Sequence, residues 1–187
     1  MDSGLMETQS SSGPVDETFA LGMIERAAAA MNSHDGATFV SLMTEDVVFE
    51  HSASPTVLHG RDEVKAFYQD TVWRAFPDLT IELAEGPFFH PRESRISLAW
   101  RATATHTGPF DPPGLAPTGR PITMDVREIL EIRDGLAHHV RLVADLADVM
   151  RQLGVLPAPG SRGERAMATM QRLQVRLTPR GRGPART

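Results

Sequence analysis

Two alternating segments, residues 121–132 and 136–144, flank an Asp134-Gly135 pair. That is the strongest short-range hairpin signal a sequence offers. A hairpin with arms this long commits the chain to a sheet, because period-two alternation gives one face to a core and the other to solvent. In the first arm Ile122, Met124, Val126, Leu130 and Ile132 share a face, and Glu128 interrupts that apolar row. In the second arm Leu136, Val140, Leu142 and Ala144 share a face with His138. A carboxylate and an imidazole in apolar strand rows suit a lined, half-dry pocket. A sheet edge facing water would tolerate them as well.

The rest of the chain supplies the helices and further strands. An apolar stripe of Phe19, Met23, Ala27, Ala30 and Met31 predicts a helix over 15–32, broken by the Asn-Ser-His-Asp-Gly run at 32–36. A short helix over 37–43 precedes a strand at 47–51, with Val47, Phe49 and His51 on one face, and then a loop over 52–60. A third helix over 62–75 carries Val64, Phe67, Tyr68 and Val72, and ends at Phe76-Pro77-Asp78. Strands follow at 80–85, 88–90 and 95–106; in the last, Ile96, Leu98, Trp100, Ala102, Ala104 and His106 lie on one side. A Pro/Gly-rich excursion at 108–119 reads as a flap over one end of the sheet. After the hairpin a short helix over 146–153 stops at Gly154. The fold class expected is α+β, a conical, curved antiparallel β-sheet packed against three N-terminal helices.

One domain over 15–157 is expected, with a disordered tail at 1–14 and an Arg-rich extension at 158–187. In that extension, Met167, Met170, Leu173 and Leu177 are spaced for a helix over 163–177, which could form or stay loose, and the last ten residues read as disordered. The extension has seven Arg and one Glu, a net +6, so the preceding residues carry −11 of the total of −5. That leaves a tail that docks on its own body or extends into solvent; nothing recommends nucleic acid as a partner. With no Cys there is no disulfide, thiol nucleophile or Cys-bound metal, and no His/Glu pair has zinc-helix spacing. The absence of a signal peptide and of any long apolar run gives the expectation of a cytoplasmic protein with no membrane partner.

The order of elements, with His59-Gly60 before the third helix, FPDL at 76–79, THTGPF at 105–110, PTGR at 117–120, the Asp-Gly turn and QLGVLP at 152–157, resembles the nuclear transport factor 2-like cone. Within it, the SnoaL-like polyketide cyclases are most similar, over residues 15–157. The resemblance implies a cone whose open end holds a small apolar polyketide-like substrate, a homodimer formed through the sheet, and no metal or organic cofactor. It also implies a carboxylate acid/base on the last long strand for aldol closure. Counting from the turn, that position falls on Leu142, which brings oxygen-to-enone addition or a pericyclic closure into play beside the aldol route. Asp145 matches an Asp at the strand-to-helix junction, catalytic or merely capping. Isomerases of the same fold carry their base at the end of the first strand, and counting back from Phe67 lands on His51.

The site expected is therefore His51, Glu128 and Asp145 as catalytic groups. His51, with an ordinary pKa near 6.5, would serve as the base. Glu128, if buried without a partner, would rise in pKa and donate or hold a proton; an ion pair with Arg101 or Arg141 is its bland alternative. His106 and His138 could bind a substrate carbonyl or cap the sheet. Trp100, Phe49, Tyr68, Met124, Leu142 and Phe88 are expected to wall the pocket. Arg101 and Arg141, on the other sheet face, are candidates for a dimer interface. The activity expected is a cofactor-independent cyclase or isomerase of secondary metabolism. An epoxide hydrolase on the same fold, or a ligand-binding protein without chemistry, are the alternatives.

Overall fold

The computed structural model describes residues 15–177; the tails expected at 1–14 and 178–187 lie outside them. Helix α1 (Glu17–Asn32) begins where the Asp16 carboxylate accepts from the Phe19 N–H at 2.9 Å. It buries Met23, Ile24, Ala30 and Met31. Helix α2 (Gly36–Ser41), capped by Asp35, leads into β1 (Met43–His51). The segment expected as loop holds a two-residue strand, β2 (Leu58–His59), paired to β1. Helix α3 (Gly60–Phe67) opens into a wide π-type turn, Tyr68–Val72, and closes with one α-helical turn, α4 (Trp73–Ala75). Then come β3 (Thr80–Phe89), β4 (Arg95–Thr105), β5 (Pro121–Arg133) and β6 (Leu136–Ala144). Helices α5 (Leu146–Gln152) and α6 (Arg162–Leu177) follow.

The six strands form one sheet in the order β2-β1-β6-β5-β4-β3. The sheet is not wholly antiparallel, as expected from the sequence: β1 runs parallel to β6. A parallel neighbour needs a crossover rather than a hairpin. Here everything from β2 to β5 is that crossover, so β1 and β6, far apart in the chain, lie side by side in the sheet. The two strands expected at 80–85 and 88–90 are one, β3, whose pairing to β4 shifts register around Gly86.

The cone is held shut at both sides. Asn32, at the end of α1, brackets Ile81 of the edge strand, donating to its carbonyl at 3.0 Å and accepting from its N–H at 2.7 Å. Gln152 does the same for Thr123, at 2.8 and 2.9 Å. The flap at 108–119 is rooted where the Thr107 and Gly108 N–H groups both donate to Ala75 O at 3.1 Å. A Cβ on Gly108 would lie 1.8 Å from Arg74 O, so only glycine allows this approach.

On the outer sheet face Arg101 pairs with Asp125, Arg127 with Glu85 and Arg141 with Glu50. Neither Arg101 nor Arg141 reaches Glu128. Helix α6 forms, and Met167, Met170 and Leu173 are exposed on it. Among the described residues no helix is long and apolar enough to cross a membrane.

Candidate functional site

The concave face of the sheet, α1, the π-type turn, the flap and α5 enclose a cavity with roughly 930 Å³ of atom-free space, its open mouth included. Its wall is almost wholly apolar. Among its lining residues the side chains able to exchange hydrogen bonds are His51, Tyr68, Trp100 and Glu128. Strand register explains how distant positions meet there. His51 of β1 pairs with Leu142 of β6, and Leu142 with Glu128 of β5. The three side chains therefore form one row across three strands, with Leu142 between the two ionisable groups. At the usual strand spacing the His51 and Glu128 backbones stand about 10 Å apart, room for a reacting carbonyl between their side chains.

Glu128 is desolvated, and this pushes its pKa up to about 7, against a smaller downward pull from the Trp100 indole N–H. That N–H donates to Oε2 at 2.5 Å. Among the described residues no cation compensates the carboxylate, so it stays poised between its two forms at neutral pH. The cost of holding it there should be measurable. Its folded pKa lies above the ordinary 4.5, so the folded state keeps the proton that the unfolded chain releases first. Stability from this group is full below pH 4.5 and lost as the pH rises through 7. At about 1.4 kcal/mol per pK unit, Glu128→Gln should stabilise the fold by up to about 3 kcal/mol at pH 8 and by almost nothing at pH 4. Denaturant unfolding at the two pH values checks this.

His51 differs from its expected role. Its Nδ1 accepts the Ala53 backbone N–H at 3.0 Å. A backbone amide can only donate, so the neutral ring carries its proton on Nε2. Burial lowers the pKa to about 4, so the ring stays neutral through the physiological range. Packed between Phe49, Phe67 and Tyr68, it offers the cavity an N–H donor rather than a free base. Tyr68 stands beside it, and burial together with the Glu128 carboxylate keeps its phenol protonated.

Trp100, Met124 and Leu142 line the cavity beside these groups. Other expected site residues do not. Phe49 is fully buried behind His51 and stacks on it rather than facing the space. Phe88 is 58% exposed, because it pairs with Ser97, which lies on the face of β4 opposite the inward Ile96 and Leu98. His138 is the extra residue of a bulge: Glu131 pairs with His139 but Ile132 with Ala137. Ala137 takes the inward place, and His138 turns toward Thr44, Arg133 and Asp46. His106 is wholly buried at the root of the flap, its Nδ1 accepting from the Thr118 N–H and its ring against Phe76.

Asp145 caps α5, accepting from the Asp148 N–H at 3.0 Å. Asp145→Ala should cost about 1 kcal/mol of stability and leave turnover within twofold, a pair of outcomes that thermal melts and steady-state kinetics read together. Sequence reasoning missed Phe110, Leu146 and Val149, which wall the cavity from the flap and α5. Phe110 is buried although it lies in a Pro/Gly-rich stretch; a lone aromatic in such a stretch was the available signal. Among the described residues no group of three or more His, Asp or Glu could hold a metal ion.

A family model described as SnoaL-like polyketide cyclase matches residues 22–153. None of the curated proteins compared with the chain matches it. Among solved structures, the chain is similar to AclR of Streptomyces galilaeus, described as a candidate hydroxylase, with 24% identity, 86% of this chain and 97% of that one covered, and a TM-score of 0.63. It is similar to IdmH of Streptomyces antibioticus, described as a candidate polyketide cyclase, at 24% identity, 72% and 97% coverage and a TM-score of 0.56. A hypothetical protein of ketosteroid isomerase-like fold from Catenulispora acidiphila gives 14% identity, 74% and 96% coverage and 0.59. At these identities the structures speak for the fold.

Proposed function

Because the chain belongs to the SnoaL-like polyketide cyclase family, we propose that it closes a ring in a polyketide-like ketone by proton transfer at Glu128, without a metal or organic cofactor. The observation that carries this reading is a single carboxylate with a pKa of about 7 in an otherwise apolar cavity. A base poised near the working pH is the most effective one. The Glu128 carboxylate takes a proton from the carbon beside a ketone, and the electron pair moves onto the ketone oxygen. His51 Nε2–H and the Tyr68 hydroxyl donate to that enolate oxygen. The enolate carbon then attacks a second carbonyl held close by the apolar walls, and the proton on Glu128 goes to the new alkoxide. In this reading the base sits at Glu128, one strand over from Leu142, and the role expected for His51 passes to it. Homodimerisation through the sheet is part of the same proposal and rests on the family resemblance.

The epoxide hydrolase alternative needs an Asp-Arg-Asp group, and neither residue type lines the cavity among the described residues. The test is an anthraquinone bearing a β-keto methyl ester side chain, incubated in deuterium oxide. We expect deuterium incorporation and a ring-closed product, by mass spectrometry, faster than in buffer alone. Tight binding with both rates equal to buffer would leave a ligand-binding protein instead.

A further inference from the structure

A second hollow lies beyond Glu128, toward the closed end of the cone. It spans roughly 420 Å³ of atom-free space, counting what opens from it, and shares Ala27, Phe39, Trp100 and Glu128 with the main cavity. Those four residues form a neck between the two. Past the neck the walls are Ala20, Met23 and Ile24 of α1, and Ile96, Leu130 and Ala137 of the sheet. Ala20 on the helix side and Ala137 on the sheet side, both at most 2% exposed, are the smallest side chains of that wall. Of the hydrogen-bonding side chains there, Glu128 and Trp100 already bond to one another. A hydroxyl or amide placed deeper would find no partner.

We propose that this annex receives an unbranched alkyl arm of the substrate, and that Ala137 and Leu130 set the length it accepts. The inference rests on Glu128 being the acid/base, and it refines the substrate class. Glu128 stands at the neck and not at the end of the space, so the carbon it deprotonates lies inside the substrate. The cyclising, oxygen-rich part occupies the wide cavity on one side, and a saturated chain occupies the annex on the other. Substrates with a polar group at that terminus are excluded.

The experiment uses 1-phenyl-1,3-diketones whose alkyl terminus is methyl, propyl or pentyl, with affinity measured by calorimetry on the whole chain. Burying apolar surface should tighten binding by about fourfold for each methylene that enters the annex, until it is full. Ala137→Leu should flatten the series beyond methyl, and Leu130→Ala should extend the gain to longer chains. A wild-type series that is flat, or one that Ala137→Leu and Leu130→Ala both leave unchanged, overturns the annex as the chain's place. Should Ala137→Leu fail to fold, the wild-type series and Leu130→Ala still decide. The underlying reading fails separately: binding of the methyl diketone that Glu128→Gln does not alter between pH 6 and 8 would remove Glu128 from the site, whatever the chain-length dependence.

Discussion

Replacing Glu128 by glutamine is expected to lower kcat by about a hundredfold to ten-thousandfold, the usual worth of a positioned acid/base, while KM changes little. Glutamine keeps the shape and can still accept the Trp100 N–H, but it cannot take a proton. In the wild-type protein kcat/KM should rise with pH along a single ionisation near 7, because the carboxylate is the active form and desolvation holds its pKa there. The residual activity of Glu128→Gln should lose that limb. The same substitution should stabilise the folded chain above pH 7. Loss of activity together with gain of stability separates a charge held at a cost for chemistry from one held for structure. A variant that is both inactive and less stable at pH 8 would point to a structural carboxylate.

His51→Phe carries the second large effect. Phenylalanine keeps a flat ring between Phe49, Phe67 and Tyr68, and removes the Nε2–H that the proposal assigns to the reacting oxygen. Loss of one preorganised donor costs about a hundredfold to a thousandfold in kcat. Ala53 loses its acceptor, so stability should fall by about 1–3 kcal/mol. The distinguishing readout is the pH profile. With a pKa of about 4, His51 adds no ionisation in the working range, so the limb near pH 7 should stay in place in His51→Phe. A limb that vanished with the histidine would make His51 the base and return Glu128 to an orienting role.

The candidate site was partly written in the chain. A glutamate at the fourth place of a row that otherwise reads Ile122, Met124, Val126, Leu130 and Ile132 shares their face by strand alternation, which pointed to a pocket while leaving a sheet edge facing water open. The end of β1 pointed to His51 in the same way. Alternation failed where the backbone departs from it. His138 was placed inward by counting, yet the bulge at Glu131/Ile132 shifts the phase by one residue and gives the inward place to Ala137. Phe88 was expected in the wall as an aromatic, not by alternation, and its pairing with Ser97 puts it on the outer face. A one-residue slip reverses every side chain beyond it, and the slip leaves little trace in hydrophobicity.

By itself the sequence determined the hairpin, the apolar face of each strand and the helices that cover them, because these follow from local periodicity and turn chemistry. It also placed a carboxylate in the apolar row of the hairpin's first arm. Only the tertiary structure decided the chemical character of the groups. Pairing β1 with β6 in parallel puts His51, Leu142 and Glu128 in one row, although Leu142 and Glu128 follow His51 by more than seventy residues. The backbone N–H of Ala53 selects the histidine tautomer, and burial raises the glutamate pKa. Tautomer and pKa depend on what surrounds a group in space, so the order of residues names the acid and the imidazole while the fold assigns the proton.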